Sequence, residues 1–434
     1  MTSTPNTIRD ERLPQLGVAL NTAMMQTVLA SALNCPVESC RILQCRYKPT
    51  KTCLVSYAVQ TPGSRKERIA YVRLYPANES FAHYQKARAH ASLSRHVLHI
   101  PAFEMVVWAF PNDRKMTSLR DLADEACLRT EILPQVVAEG WGADWHIETL
   151  HSEIVHYVAE HTCTVKVQLE LRNAATGKTK SPVLFGKTYY NEQGATTFQA
   201  MQELQRGGIK IARPLSYQPH LKTLWQLGLE GITLNDLVAR DDGFVNLLAQ
   251  SAVAVAALHK TSLGVPVAHS QEVARLPETA RLISLVSPAS QPKLESLIAH
   301  LQAQAETLAA RPAITLHGDL HLKNFFVVND HMVLIDLDNL SLGDPLQDIG
   351  SFIASLLYRH LLGEIPNAKR LINTFINAYQ DSVSWPVPEA DLHWHIATAL
   401  ITERVSRCVT RLKASHLIDD LMALAARIST GGLP

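Results

Sequence analysis

One stretch, ITLHGDLHLKNFFVVNDHMVLIDLDNLSLGDPLQD from Ile314 to Asp348, narrows what this chain can fold into more than any other. Ile314 to Leu316 is a short apolar run, a polar loop follows, Phe325 to Val328 is a second β-rich run, and Met332 to Ile335 is a third after a turn at Asn329 to His331. The last two runs predict a hairpin. Because a hairpin folds back on itself, Asn324 at its first end and Asp336 at its last end lie side by side, with Asp319 in the loop just before. Three oxygen-bearing side chains then share one edge. An amide and a carboxylate beside a further carboxylate are hard ligands, suited to Mg²⁺ held partly by protein and partly by phosphate.

That donor set points to phosphoryl transfer. In such sites an aspartate orients the acceptor hydroxyl, an asparagine five residues on holds the metal, and a second aspartate after the next hairpin bridges metal and phosphates. Asp319, Asn324 and Asp336 have this order. The pattern His317-Gly318-Asp319-x4-Asn324, then Ile335-Asp336-x-Asp338, then Gly343-Asp344-Pro345-x2-Asp348, closely resembles the aminoglycoside phosphotransferase and choline kinase-like family, relatives of protein kinases. The resemblance runs from about Thr162 to the end, closely at residues 314–348 and loosely elsewhere.

Each residue also has a plainer reading. An isolated loop aspartate is usually a turn former; four correctly spaced elements together are not. His317 and His321 could be zinc ligands, but no third ligand of matching spacing follows, and His317 is read as a structural member of the loop. Asp344, Pro345 and Gln347 read as a helix start, with a carboxylate cap, a first-turn proline and a capping-box partner. Asp348 is expected to brace the loop. Asp338 stays open between a second metal ligand and a residue supporting the ligands.

Composition bounds the rest. The 434 residues suffice for two or three domains, and a formal charge of +1 gives no basic bias toward a nucleic-acid or membrane surface. Seven cysteines, scattered at Cys35, Cys40, Cys45, Cys53, Cys127, Cys163 and Cys408 without a CxxC pair, read as reduced thiols of a cytoplasmic protein. Pro14 to Val37 is uncharged, but Asn21, Thr22, Gln26 and Thr27 interrupt it, and Asp10 and Glu11 precede it. An amphipathic helix is expected there, not a signal or membrane segment.

The amino-terminal half contains an internal repeat. Arg46 to Val55 recurs as His156 to Val165, with tyrosine and cysteine six apart in both; Ala70 to Tyr75 parallels Leu184 to Tyr189, Phe81 parallels Phe198, and Trp108 parallels Trp225. Each copy reads strand, hairpin, strand, helix, strand, the plan of a kinase-like small lobe. Only the second carries the residues the resemblance implies for ATP. Lys187 is the lysine expected on the phosphates and Glu203 its partner from the following helix; backbone groups around Gln226 and Leu227 are expected to meet adenine. The first copy has Arg73 and Lys86 at the matching places, two cations expected to repel, so it is read as a degenerate small lobe. The loop Arg172 to Thr179 lacks the first glycine of a P-loop. It remains open between a phosphate-covering hairpin and a solvated turn.

The expected architecture is α+β: residues 1–145 as amino-terminal helix and degenerate small lobe, 146–228 as ATP-binding small lobe, and 229–434 as helical large lobe. Phe244 to His259, two stretches within Leu276 to Ala310, Pro345 to Leu362, Ala368 to Gln380, Glu389 to Leu412 and Leu417 to Ile428 are predicted helices. Arg404, Arg407 and Arg411 would share one face of the Glu389 to Leu412 helix, as a solvated stripe or as a weak preference for a neutral or anionic acceptor. The resemblance implies an ATP- and Mg²⁺-dependent kinase acting on a small-molecule hydroxyl. A scaffold with a kinase fold is the alternative, and the absence of an Ala-Pro-Glu activation segment after Asp336 argues against a protein kinase.

Overall fold

Burial alternates along Thr162–Asn173, which is the period of a strand with one covered face. Such strands dominate the chain up to Asn191, and helices dominate after it. The computed structural model describes residues 10–64, 67–90, 97–238, 243–264, 268–269 and 272–433. By contacts it forms two compact units. One extends to Asn191 and takes in His220–Thr223 and Val409–Lys413; the other holds Glu192–Pro219, Leu224–Cys408 and the residues from Ala414 onward. The fold is α+β.

In the first unit, the segment expected as one helix is two, Leu16–Leu20 and Thr22–Leu33, divided at Asn21, whose side chain accepts the Met24 N–H. Five antiparallel strands follow: β1 (Ser39–Lys48), β2 (Thr52–Gln60), β3 (Arg68–Leu74), β4 (Val97–Ile100) and β5 (Met105–Ala109), in the order β1-β2-β3-β5-β4, with helix Ser80–His90 between β3 and β4. A second set contains β6 (Trp145–Val158), β7 (Thr162–Asn173), β8 (Thr179–Lys180) and β9 (Val183–Tyr189), with β7 pairing with β6, β8 and β9.

The pairing of the two sets agrees around their tyrosine–cysteine hairpins. Tyr47 pairs with Cys53 as Tyr157 pairs with Cys163, and Cys53 then faces Leu74 as Cys163 faces Thr188. The hairpin tips hold Thr50 at φ 61° and Glu160 at φ 58°. The tyrosine just past β3 and the tyrosine that ends β9 each donate the backbone N–H to a left-handed residue: Tyr75 to Glu104 at 3.1 Å, Tyr189 to Lys222 at 3.0 Å.

The first set departs from expectation at Arg73. It does not confront an unanswered cation but donates to Glu160 at 2.7 Å. The tip of the β6–β7 hairpin reaches the first sheet, and Ala159 is buried among Leu54, Tyr71, Tyr75, Val106 and Trp108. Arg114 also grips Glu160, at 2.9 and 2.6 Å, while Arg46 donates to the Ala159 carbonyl. Asp113 accepts the Glu160 N–H and the Tyr157 hydroxyl, both at 2.7 Å. Chain that reads as the start of a second module thus completes the first.

In the second unit, helix Gln193–Arg206 precedes β10 (Pro214–Gln218) and β11 (Thr223–Leu227). Trp225 is buried and donates its indole N–H to Gln218 at 2.9 Å. Two small sheets follow, one of β12 (Ile232–Thr233), β15 (Phe325–Val328) and β16 (His331–Leu334), the other of β13 (Ala268–His269), β14 (Ile314–Leu316) and β17 (Ser341–Gly343). Helices Phe244–His259, Glu272–Val286, Gln291–Ala305, Pro345–Leu361, Ala368–Gln380, Glu389–Ala399 and Ile418–Ser429 surround them. Phe325 meets Phe352 edge to face and Phe352 meets Phe375 at a tilt, with centroids 5.6 and 4.2 Å apart. Gly350 lets helix Pro345–Leu361 meet helix Glu389–Ala399, since a Cβ there would lie 2.7 Å from the His395 carbonyl carbon.

A buried charge network joins these helices. Arg311 donates to Asp344 at 2.8 Å and to Asp391 at 2.7 Å, and His395 meets Glu272 at 2.8 Å and Asp344 at 3.8 Å. Burial alone would lower the His395 pKa, but Glu272 and Asp344 outweigh it and raise the ring to about 9. A folded pKa above the ordinary 6.5 means stability that is fully present below 6.5 and lost as pH rises through about 9. Chemical denaturation at stepped pH should therefore show a decline on the order of 3 kcal/mol across that window. His395→Gln should flatten the decline, and an unchanged slope in that variant would assign the pH dependence elsewhere.

Candidate active site

The loop between β14 and β15 is built from the backbone outward. Asp348, fully buried on helix Pro345–Leu361, accepts the N–H groups of His317 at 2.6 Å and Gly318 at 2.9 Å. His259 completes it at 3.1 Å and meets Tyr379 at 2.7 Å with its other nitrogen. Burial by itself would raise the Asp348 pKa, yet the His259 hydrogen bond and the nearby ring and amide donors hold it below the ordinary value. Asp348 thus fixes the loop as a carboxylate, the bracing part read from its spacing, and His259 is a satisfied core histidine. His317 is buried, its Nε2 3.0 Å from the Ile335 carbonyl, which ties the loop to the end of the hairpin.

Gly318 has φ 79°, and a Cβ there would sit 2.1 Å from the Asn339 carbonyl oxygen. Only glycine fits this crossing. It turns the chain so that Asp319 follows at the surface of the unit, half-buried. Asn324 is buried, and its side-chain N–H donates to the Asp319 carbonyl at 2.8 Å, leaving the amide oxygen as its remaining polar atom.

β15 and β16 pair in the register Phe325↔Leu334, and the Ile335 N–H donates to the Asn324 carbonyl at 3.0 Å. Asn324 and Asp336 are accordingly brought to one end of the hairpin. Asp336 is exposed and left-handed, with φ 60° and ψ 57°. A non-glycine residue held there is a strained position of the kind concentrated at functional sites. Gln193 donates to the Asp338 carbonyl at 2.6 Å, pinning the turn after it. Asp344 caps the next helix through the Leu346 N–H at 2.8 Å. One amide oxygen and one carboxylate on adjacent backbone, with a second carboxylate before them, suit a hard divalent cation that completes its shell with water or phosphate oxygens. No group of three or more His, Cys, Asp or Glu side chains able to hold a metal occurs among the described residues, so a cation here would depend on such added oxygens.

The remaining predicted residues are divided between the two units. Lys187, in the first, is on β9 opposite Thr164, its ammonium 5.8 Å from the Tyr189 ring centre. Glu203, in the second, accepts the Gly264 N–H at 2.6 Å. Gln226 and Leu227 are half-buried at the end of β11. The Leu227 N–H donates to the Arg213 carbonyl at 2.9 Å and so is not available to a ligand. The Arg172 to Thr179 loop closes on itself: Asn173 Oδ1 accepts the Thr176 N–H and hydroxyl at 2.8 and 2.9 Å, and Gly177 is at φ 70°.

A cavity of 380 Å³ opens beside Asp319, lined among others by Arg275, Glu278, Thr402, Glu403 and Arg407. Arg407 donates to Asp319 Oδ1 at 3.2 Å. The expected arginine stripe is not one face. A π-helical turn, Leu400–Val405, breaks the helical period, Arg404 is buried against Glu403 at 2.8 Å, and Arg407 turns to the aspartate. His321, with Nε2 3.8 Å from Asp319 Oδ2, is driven down to about 4 by burial against the pull of that carboxylate, and is neutral at neutral pH.

Residues 185–389 match the model of the phosphotransferase enzyme family. Among solved structures, the chain is similar to choline kinase LicA from Streptococcus pneumoniae, at 13% identity and a TM-score of 0.47 over 65% of this chain and 94% of that one. A choline/ethanolamine kinase family protein from Mesorhizobium loti matches at 16% identity and 0.45, over 64% and 86%. Macrolide 2'-phosphotransferase MphH from Brachybacterium faecium matches at 14% and 0.41, over 70% and 99%. No curated protein matches the chain.

Proposed function

We infer, from the match of residues 185–389 to the phosphotransferase enzyme family, that the protein moves the γ-phosphoryl group of Mg·ATP to a hydroxyl of a small molecule. The observation that carries the reading is the hairpin end: Asn324 and Asp336 adjacent through the Ile335–Asn324 bond, with Asp319 held to Asn324 and facing a cavity. In this reading residues 146–228 bind nucleotide, residues 229–434 carry the reaction, and residues 1–145 are a degenerate small lobe. Lys187 anchors the phosphates and Glu203 orients it, while groups at Gln226 and Leu227 line the base.

Asn324 and Asp336 are the residues that would hold Mg²⁺, with Asp338 beside them; bound there, the cation would neutralise phosphate charge. The acceptor oxygen attacks γ-phosphorus as the bond to the ADP oxygen breaks, and the hydroxyl proton passes to Asp319. The transfer comes late, because a loose transition state asks little of its base. His317 has no part in proton transfer here; it fixes the backbone that aims Asp319.

The reading is tested by thermal shift with nucleotide, with and without Mg²⁺. Ligand at a hundred times its Kd stabilises by about 2.7 kcal/mol. The metal-dependent part of the shift should disappear in Asp336→Asn. No shift at millimolar nucleotide would overturn the reading and favour a scaffold.

A further inference from the structure

We propose that the acceptor is a small hydroxylated anion, selected by Arg407 and Arg275 in the lining of the cavity beside Asp319. The inference rests on the phosphotransferase reading and adds the substrate class to it.

The charges around the cavity carry the argument. A site for a polycation needs carboxylates facing the ligand. Of the three carboxylates that line the cavity, Asp319 is engaged by Arg407 at 3.2 Å and Glu403 by Arg404 and Ser351, both at 2.8 Å, which leaves Glu278 alone to meet a cation. Arg275, exposed on helix Glu272–Val286, lines the same cavity, and no partner for its guanidinium is found among the described residues. A cationic acceptor would have to bind beside two guanidinium groups.

An anion meets the opposite situation. Arg407 gives one N–H to Asp319, and the planar fork of a guanidinium can hold a carboxylate or phosphate in two parallel hydrogen bonds. A ligand whose anionic group is held by Arg407 has its neighbouring hydroxyl brought to Asp319. The guanidinium at that carboxylate would then position the acceptor. Thr402 and Thr279 add hydroxyls to the lining, and the 380 Å³ volume is at the small end of ligand cavities, which suits a molecule of monosaccharide or amino-acid size. Glu278, three residues after Arg275 on the same helix, can take an ammonium, so a hydroxylated amino acid falls within the class.

The experiment is a phosphorylation panel read by ADP release, run on full-length protein whose Mg·ATP thermal shift has first been established. Its arms are glycerate for the carboxylate, glycerol 3-phosphate for the phosphate, homoserine for the zwitterion, glycerol for the neutral case, and choline and kanamycin for the cations. The expected result is turnover or a further thermal shift with at least one anionic arm and with neither cation. Arg275→Ala should raise KM for that arm by about ten- to a hundredfold, the loss of one charge-assisted contact, with kcat little changed. Arg275→Lys should recover part of it, and the nucleotide shift should be intact in both variants. Preference for glycerol or a cation, or an intact nucleotide shift with no anionic arm bound or turned over, overturns the inference while leaving phosphotransfer standing. Absence of the nucleotide shift itself overturns the phosphotransferase reading beneath it.

Discussion

Asp319→Ala is expected to lower turnover by about 10²- to 10⁴-fold, the usual contribution of a positioned acid–base group, while Mg·ATP binding stays nearly intact. The two effects should separate because of how the loop is made. Asn324 holds the backbone carbonyl of Asp319, not its carboxylate, and Asp348 fixes the two residues before it through their amides. Truncating the side chain therefore leaves the loop and the hairpin end in place. What it removes is the proposed proton acceptor and the partner of Arg407. Steady-state ADP release and nucleotide thermal shift on the same preparation give the comparison. Loss of both together would mean that Asp319 organises the nucleotide site and has no separate part in the reaction.

Glu160→Ala should be the most damaging single change outside that site. Glu160 is 3% exposed and takes hydrogen bonds from Arg73 and Arg114, with Arg46 close by on the Ala159 carbonyl. Removing one partner of a buried ion pair costs about 3–5 kcal/mol because the other charge is left uncompensated. The lower end is expected, since Arg114 retains some solvent to screen it. Glu160→Gln keeps the hydrogen-bonding shape and should lose less than alanine. Burial would raise the Glu160 pKa, but Arg114 and Arg73 outweigh it and hold it below the ordinary 4.5. Its share of stability is accordingly present above pH 4.5 and lost as pH falls through the depressed folded value. Urea midpoints of wild type and both variants at neutral and acidic pH measure this. Equal midpoints at neutral pH would show that the arginines find other partners.

How much of this was legible depends on how local each relation is. Asn324 and Asp336 could be placed together from the sequence because a four-residue strand, a turn and a return strand leave little choice of register. The helix cap at Asp344 and the brace at Asp348 were equally local. Arg407 was misread because the stripe at 404, 407 and 411 assumes an unbroken 3.6-residue period, and the π-helical turn at Leu400–Val405 shifts it. No local pattern announces such a turn. Glu160 was passed over because its partners are 46 and 87 residues away and its counterpart in the first set, Thr50, is uncharged. Arg311 is likewise joined to Asp391 across 80 residues. The one available signal was a lone acidic residue at a hairpin tip, weak without knowing that the tip is buried.

The hairpin tip also bears on how the chain can be divided. The repeat invites a cut near residue 145, with a self-sufficient catalytic half beginning at β6. A chain begun there would carry Ala159 with no apolar wall to cover it, Tyr157 without Asp113, and a carboxylate shaped for guanidinium groups that had been left behind. Two segments that look separable as text would have to be expressed, inherited and lost as a single piece.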